Sequence, residues 1–139
     1  MIEIDAIETR GLGDRSYLAS DGETAIAVDP QRDIDRVLDL VERRGVRLRL
    51  VLETHIHNDY VTGGLELARQ TGAEYVVSAE DEVSFDRSAV RDGDELAAGA
   101  MRVRALLTPG HTHHHLSYVL GDADSRTHAV FTGGSMLYG

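Results

Sequence analysis

The stretch that decides the reading of this chain is Thr54-His55-Ile56-His57-Asn58-Asp59-Tyr60. Two imidazoles and a carboxylate recur there at every second position, directly after the apolar run Leu48 to Leu52, which reads as a buried strand running out into a loop. Side chains two apart in extended backbone point the same way, so His55 and His57, and Asp59 where the backbone stays extended, can converge on one point. A shared metal ion is the economical explanation. Working outward, a second cluster, Thr108-Pro109-Gly110-His111-Thr112-His113-His114-His115, follows another strand-like run, Met101 to Leu107. Pro109 and Gly110 mark the point at which the chain leaves the sheet, which puts His111 at a strand end too.

The composition narrows the chemistry. With 139 residues, 42% of them hydrophobic and 27% charged, the chain is the size of one ordinary globular domain, residues 1–139, and can bury a core. It has no cysteine, so disulfides, thiolate metal sites and cysteine nucleophiles are excluded, and His and carboxylates are the metal ligands to consider. Such ligands favour zinc, iron or manganese. A net charge of -10 with no basic stripe argues against a nucleic acid as partner. No apolar run is long enough to cross a membrane as a helix, and Met1 to Thr9 lacks the regions of a signal peptide, so a cytoplasmic protein is the expectation.

Around the two clusters the patterning alternates between strand and helix. Ile2 to Thr9 alternates apolar and acidic residues, and Ser16 to Ala19 and Thr24 to Val28 flank Asp21-Gly22, a type I′ hairpin signal. After Asp29-Pro30, the apolar spacing of Ile34, Val37, Leu38 and Val41 predicts a helix with Asp33 as N-cap and Gly45 as its stop. Arg47 to Glu53 reads as a strand, and Val61 to Thr71 as a helix closed by Gly72. The early pair Gly63-Gly64 costs that helix about 1 kcal/mol per residue relative to alanine, which a tight approach of backbone to the site would justify. Glu74 to Ser78 is a short strand, Ala79 to Asp92 an acidic connection, and Glu95 to Leu107 a hairpin around Ala98-Gly99. Ser117 to Leu120, a polar turn from Gly121 to Thr127, and His128 to Thr132 complete the chain. This order predicts an α/β chain with a mixed sheet and helices on its outer face.

At Thr54 to Gly64 and Thr108 to His115 the sequence resembles the metallo-β-lactamase-fold superfamily, marked by His-x-His-x-Asp-His after a strand and a third ligand in a Gly-His-Thr segment. The form Thr-His-Ile-His-Asn-Asp-Tyr-Val-Thr-Gly-Gly, with Thr-Pro-Gly-His-Thr and Leu-Ser-Tyr, is most similar to the persulfide dioxygenases and their rhodanese-associated relatives, with glyoxalase II as the nearest hydrolytic relative. The likeness runs from about Ile7 to the last residue. It implies the N-terminal part of an αββα sandwich and places His55, His57 and His111 as ligands of one metal ion per chain, Fe(II) or Zn(II). Asp59 matches the carboxylate that binds a second ion or deprotonates the attacking water.

Three departures shape the expected mechanism. Tyr60 replaces the second histidine of His-x-Asp-His, and a phenol with a reference pKa near 10 is a poor zinc ligand, so a two-metal hydrolase is not expected. Gly134, in Phe131-Thr132-Gly133-Gly134, stands where the family places a metal-binding aspartate. The family also continues past this point to a second half-sandwich and a further active-site histidine, so the domain is incomplete relative to it. Persulfide dioxygenases use two histidines and one carboxylate, a role left here to Asp59, whereas three histidines plus water suit zinc.

Simpler roles compete for several of these residues. Asp59 also suits a helix cap. Tyr60 serves either as a hydrogen-bond donor to substrate or as packing against the sheet. His113, His114 and His115 cannot all face one ion and read as a surface loop, and His128 reads as a half-exposed strand residue. The leading expectation is a mononuclear metal-dependent dioxygenase or hydrolase acting on a small thiol-derived substrate, such as a glutathione persulfide or thioester. The competing one is a catalytically degenerate remnant, whose uncovered apolar sheet face a homodimer would bury.

Overall fold

In the computed structural model, which describes residues 2–8, 15–30, 33–54, 63–78, 88–107, 116–124, 126–132 and 136–138, the alternating N-terminus forms strand β1 (Glu3–Glu8). It pairs antiparallel with β2 (Arg15–Ser20), which turns antiparallel into β3 (Thr24–Val28). The turn differs from the expected type I′, which needs two positive φ angles: Gly22 has φ 95°, but Asp21 does not join it. The Asp21 carboxylate instead accepts the backbone N–H groups of Glu23 (2.9 Å) and Thr24 (2.7 Å), which stabilises a three-residue loop.

Helix α1 (Asp35–Arg44) buries Val37 and ends, as expected, at Gly45. Gly45 takes φ 63°, its N–H returning to the Glu42 carbonyl and that of Val46 to Val41, a Schellman closure. Asp33 is not the N-cap. Ile34 holds that position in helical geometry with no side-chain cap, and it is buried, so anchoring the first turn in the core takes the place of a capping bond.

Strand β4 (Arg47–Leu52) runs parallel to β3, β5 (Glu74–Ser78) parallel to β4, and β6 (Ser88–Val90) parallel to β5, giving a six-stranded mixed sheet in the order β1-β2-β3-β4-β5-β6. Helix α2 (Gly63–Thr71) makes the crossover between β4 and β5. A register shift opposite Ala25 and Ile26 lets β4 send Leu48 and Val51 to one face and Leu50 and Leu52 to the other. That is why its apolar residues run on without alternating. Strand β6 falls inside Ala79 to Asp92, read from sequence as a connection, because three residues are too few to carry a period.

The second sheet is antiparallel, with β7 (Glu95–Ala98), β8 (Met101–Leu107), β9 (Leu116–Asp122), β10 (Thr127–Phe131) and β11 (Met136–Tyr138) in the order β11-β10-β9-β8-β7. The two sheets face each other across one core, in which Ile26, Val28, Leu50, Leu52 and Val76 meet Met101, Val103, Leu116, Tyr118, Leu120 and Phe131. On the other face of the six-stranded sheet, Leu18, Ala27, Val51 and Val77 pack with Val37 of α1 and Leu67 and Ala68 of α2. The inward apolar face of the six-stranded sheet is thus covered by the chain's own second sheet. The outer face of that second sheet presents the exposed Arg102 and Arg104 and the half-buried Leu106, Val119 and Val130, and no helix covers it among the described residues. No helix there is long and apolar enough to cross a membrane.

Asp21 also clasps the two sheets together. Its Oδ2 accepts the Ala100 N–H at 2.8 Å, from the turn between β7 and β8, while the Thr24 hydroxyl lies 3.0 Å from Oδ2 and 3.2 Å from the Ala98 carbonyl oxygen. Gly99, at φ 58°, has to be glycine, since a Cβ there would lie 2.4 Å from both Asp21 Oδ2 and Thr24 Oγ1.

Candidate metal centre

Strands β3, β4 and β5 are parallel, so the residues that follow or end them, Asp29, Glu53-Thr54 and Ser78, gather at one edge of the sheet. Carboxyl ends of parallel strands are where such sheets place ligand sites, because the chain leaves the ladder there with its polar groups unspent. Here the Asp29 carboxylate is spent on fixing Thr54. Its N–H donates to Asp29 Oδ1 and its hydroxyl to Asp29 Oδ2, each at 2.7 Å, and the residue is wholly buried.

Asp29 is itself held in place. It has φ 49°, a left-handed conformation that aspartate tolerates better than most residues, with its N–H on the Leu52 carbonyl (2.8 Å) and its carbonyl accepting the Ser16 hydroxyl (2.7 Å). Glu53, between Leu52 and Thr54, donates its N–H to Val76 (3.0 Å) and accepts the Tyr118 hydroxyl at its carbonyl (2.7 Å). Its carboxyl is buried, and burial pushes it well above the usual carboxylate range, an effect that the neighbouring Asp29 charge reinforces.

The residues that flank the two histidine segments in sequence meet. The N–H of Leu116, the residue after His115, donates to the carbonyl of Thr54, the residue before His55, at 2.7 Å. This bond links the two sheets at the point where both segments begin or end. His55, His57, Asp59, Tyr60 and His111 themselves lie outside the described residues, as do His113, His114, His115 and Gly134. Among the described residues no group of three or more His, Cys, Asp or Glu side chains is placed to hold a metal ion. His128 stands on β10 as a half-buried strand residue, with Nε2 2.9 Å from Asp122 Oδ2. Asp122 is held below the usual carboxylate range by that histidine first and by the N–H groups of Arg126 and Asp124.

Read from the sequence, His55, His57, His111 and Asp59 offer three imidazoles and a carboxylate without thiols, a donor set whose chemistry suits Zn(II) or Fe(II), and the described residues that flank the two segments, Thr54 and Leu116, are held by hydrogen bonds. Sequence reasoning missed Asp29 and Glu53, which it took only as strand ends. The signal available was a carboxylate directly before Pro30 and another directly before Thr54.

Comparison with known proteins agrees with this geometry. The profile of the Metallo-beta-lactamase superfamily matches residues 11–133. A hydroxyacylglutathione hydrolase-like protein of Homo sapiens is 41% identical over 113 residues, 81% of this chain and 39% of that protein. A metallo-beta-lactamase from Staphylococcus aureus superimposes with a TM-score of 0.84 at 26% identity, over 94% of this chain and 42% of its own. ETHE1 from Myxococcus xanthus does so with 0.77 at 32% identity, over 86% and 54%. The chain therefore spans about half the length of these proteins or less.

Proposed function

Because the chain belongs to the metallo-beta-lactamase superfamily, we propose that it holds one divalent cation, Fe(II) or Zn(II), through His55, His57 and His111, and acts on a small thiol-derived substrate. The observation that supports this reading is the 2.7 Å bond from Leu116 N–H to the Thr54 carbonyl, which joins the residues that flank the two histidine segments in sequence. A cation held there supplies Lewis acidity toward a carbonyl or sulfur group. Asp59 serves as a further ligand or takes the proton from an attacking water at its carboxylate. The Tyr60 hydroxyl donates a hydrogen bond to the substrate. The clamp of Asp29 on Thr54 fixes the backbone directly before His55.

Two thiol chemistries compete. The likeness to a hydroxyacylglutathione hydrolase-like protein favours a glutathione thioester and hydrolysis. The resemblance of Thr54 to Gly64 to persulfide dioxygenases favours a glutathione persulfide and dioxygen. A second reading, motivated by Tyr60 and Gly134, keeps the cation and drops the turnover.

Metal content after expression with both iron and zinc tests the ligands: about one equivalent is expected in the parent chain and a clear loss in His55→Ala and His111→Ala. Equal metal in all three would mean that the ligand set is wrong. Oxygen uptake with glutathione persulfide and release of thiol from a glutathione thioester then separate the two reactions. Metal without either leaves the remnant.

A further inference from the structure

Glu53 is only 4% exposed, and its backbone N–H and carbonyl are both committed, to Val76 and to the Tyr118 hydroxyl. Its side chain reaches α2. A Cβ built on Gly64, the second residue of that helix, would lie 2.5 Å from Glu53 Oε1, 3.2 Å from its Cδ and 2.8 Å from Cε1 of Tyr75. Oε1 itself is buried with no hydrogen-bond partner among the described residues.

The contact is close on both sides: Glu53 brings a buried carboxyl against the start of α2, and a residue without a Cβ at position 64 leaves room for it. The two sides of the contact are also the two ends of the segment that carries the first histidine pair: Glu53 lies two residues before His55, and Gly64 two residues after Thr62, where that segment ends.

We infer that Glu53 and Gly64 are a matched pair fixing the separation between the end of β4 and the start of α2, and with it the span across which residues 55–62 present His55, His57 and Asp59. Glu53 is a positioning residue in this sense, acting through shape. The inference rests on the metal reading above.

The test uses the full 139-residue chain with Co(II) as the probe, chelator competition for affinity, the visible d–d bands for ligand geometry, and thermal unfolding of the metal-free protein as the control for plain destabilisation. Glu53→Ala and Gly64→Ala should each weaken Co(II) binding about tenfold or more and alter the bands, the scale on which outer-shell changes act. Glu53→Gln, which keeps the shape, should stay within about threefold of the parent. The double variant E53A/G64A should lose less than the product of the two single losses, since the Glu53 side of the collision is relieved while the 2.8 Å approach to Tyr75 Cε1 remains. Where Gly64→Ala fails to fold, the contrast between Glu53→Ala and Glu53→Gln decides. Stoichiometric Co(II) in the parent with unchanged affinity and bands in the variants, even at a lowered melting temperature, or strictly additive losses, would overturn the inference and leave the metal reading standing. A parent chain that takes up no Co(II) would overturn both.

Discussion

Thr54 gives both of its donors to one carboxylate: its N–H reaches Asp29 Oδ1 and its hydroxyl Oδ2, each at 2.7 Å, across 25 positions of sequence. With its carbonyl taken by the Leu116 N–H, every polar group of the residue before His55 is committed. Fixing the backbone there costs conformational freedom, which a segment with no further duty would not need to surrender. The clamp joins the ends of β3, β4 and β9, so the geometry of the candidate centre depends on the tertiary fold as a whole.

Removing that carboxylate should therefore be expensive. Asp29→Ala leaves a buried N–H and a buried hydroxyl without their acceptor, and should lower stability by about 3 kcal/mol, read as a shift of the urea midpoint at constant slope. Asp29→Asn keeps one acceptor and the tolerance for left-handed backbone, and should lose about half as much. An unchanged midpoint in Asp29→Ala would show that the clamp carries no energy.

The clasp between the sheets makes acid stability depend on Asp21. Partial burial raises its pKa, but the N–H groups of Thr24, Ala100 and Glu23 and the Thr24 hydroxyl outweigh that and bring it from 3.8 down to about 2. A depressed carboxylate contributes stability that is present above its unfolded pKa and is lost as pH falls through the folded one. The loss should run from about pH 4 to about pH 2 and amount to about 1 kcal/mol once solvent screening of this partly exposed group is allowed for. Asp21→Asn should flatten that part of the stability profile, measured by denaturant titration at stepped pH. A parent profile already flat over this window would refute the assignment.

How far the sequence carried depended on the range of each signal. The Gly45 stop of α1 was legible because it is local, and so was β4, whose apolar residues are buried on both faces. The three-residue strands β6 and β11 were not, because they are too short to carry a period and are defined by pairing with β5 and β10. The spacing of His55 and His57 pointed to a site, yet Asp29 stayed hidden because its partner is distant in sequence and its left-handed backbone has no motif. The Gly63-Gly64 pair posed the question of what approaches α2. The answer, the Glu53 carboxyl, required the fold.

The two faces of the second sheet should answer differently to the same charge. Val103 is 2% exposed and points into the core, whereas Val119 is half-buried on the outer face, directly across from Arg104. Val103→Glu should cost about 4 kcal/mol or unfold the chain, because it buries an unpaired carboxylate. Val119→Glu meets a guanidinium across the strands and should stay within about 0.5 kcal/mol of the parent. Melting temperatures settle this, and equal damage by both would mean that the outer face is covered in the folded protein.

The hydroxyl of Tyr118 offers the finest probe of the site's support, because it can be removed with almost no change of volume. It donates to the Glu53 carbonyl at 2.7 Å from a fully buried ring, tying β9 to the end of β4 beside the Leu116 bond. Tyr118→Phe leaves that carbonyl without its donor and should cost about 1 to 2 kcal/mol. Because the lost bond lies beside the Leu116 bond and joins the same two sheets, exchange of the Leu116 amide hydrogen should speed up by more than the fall in global stability accounts for. Distant amides, such as those of α1, should follow the global change alone. Uniform acceleration would mean that the hydroxyl merely stabilises the domain, and slower or unchanged exchange at Leu116 would show that the two bonds act independently.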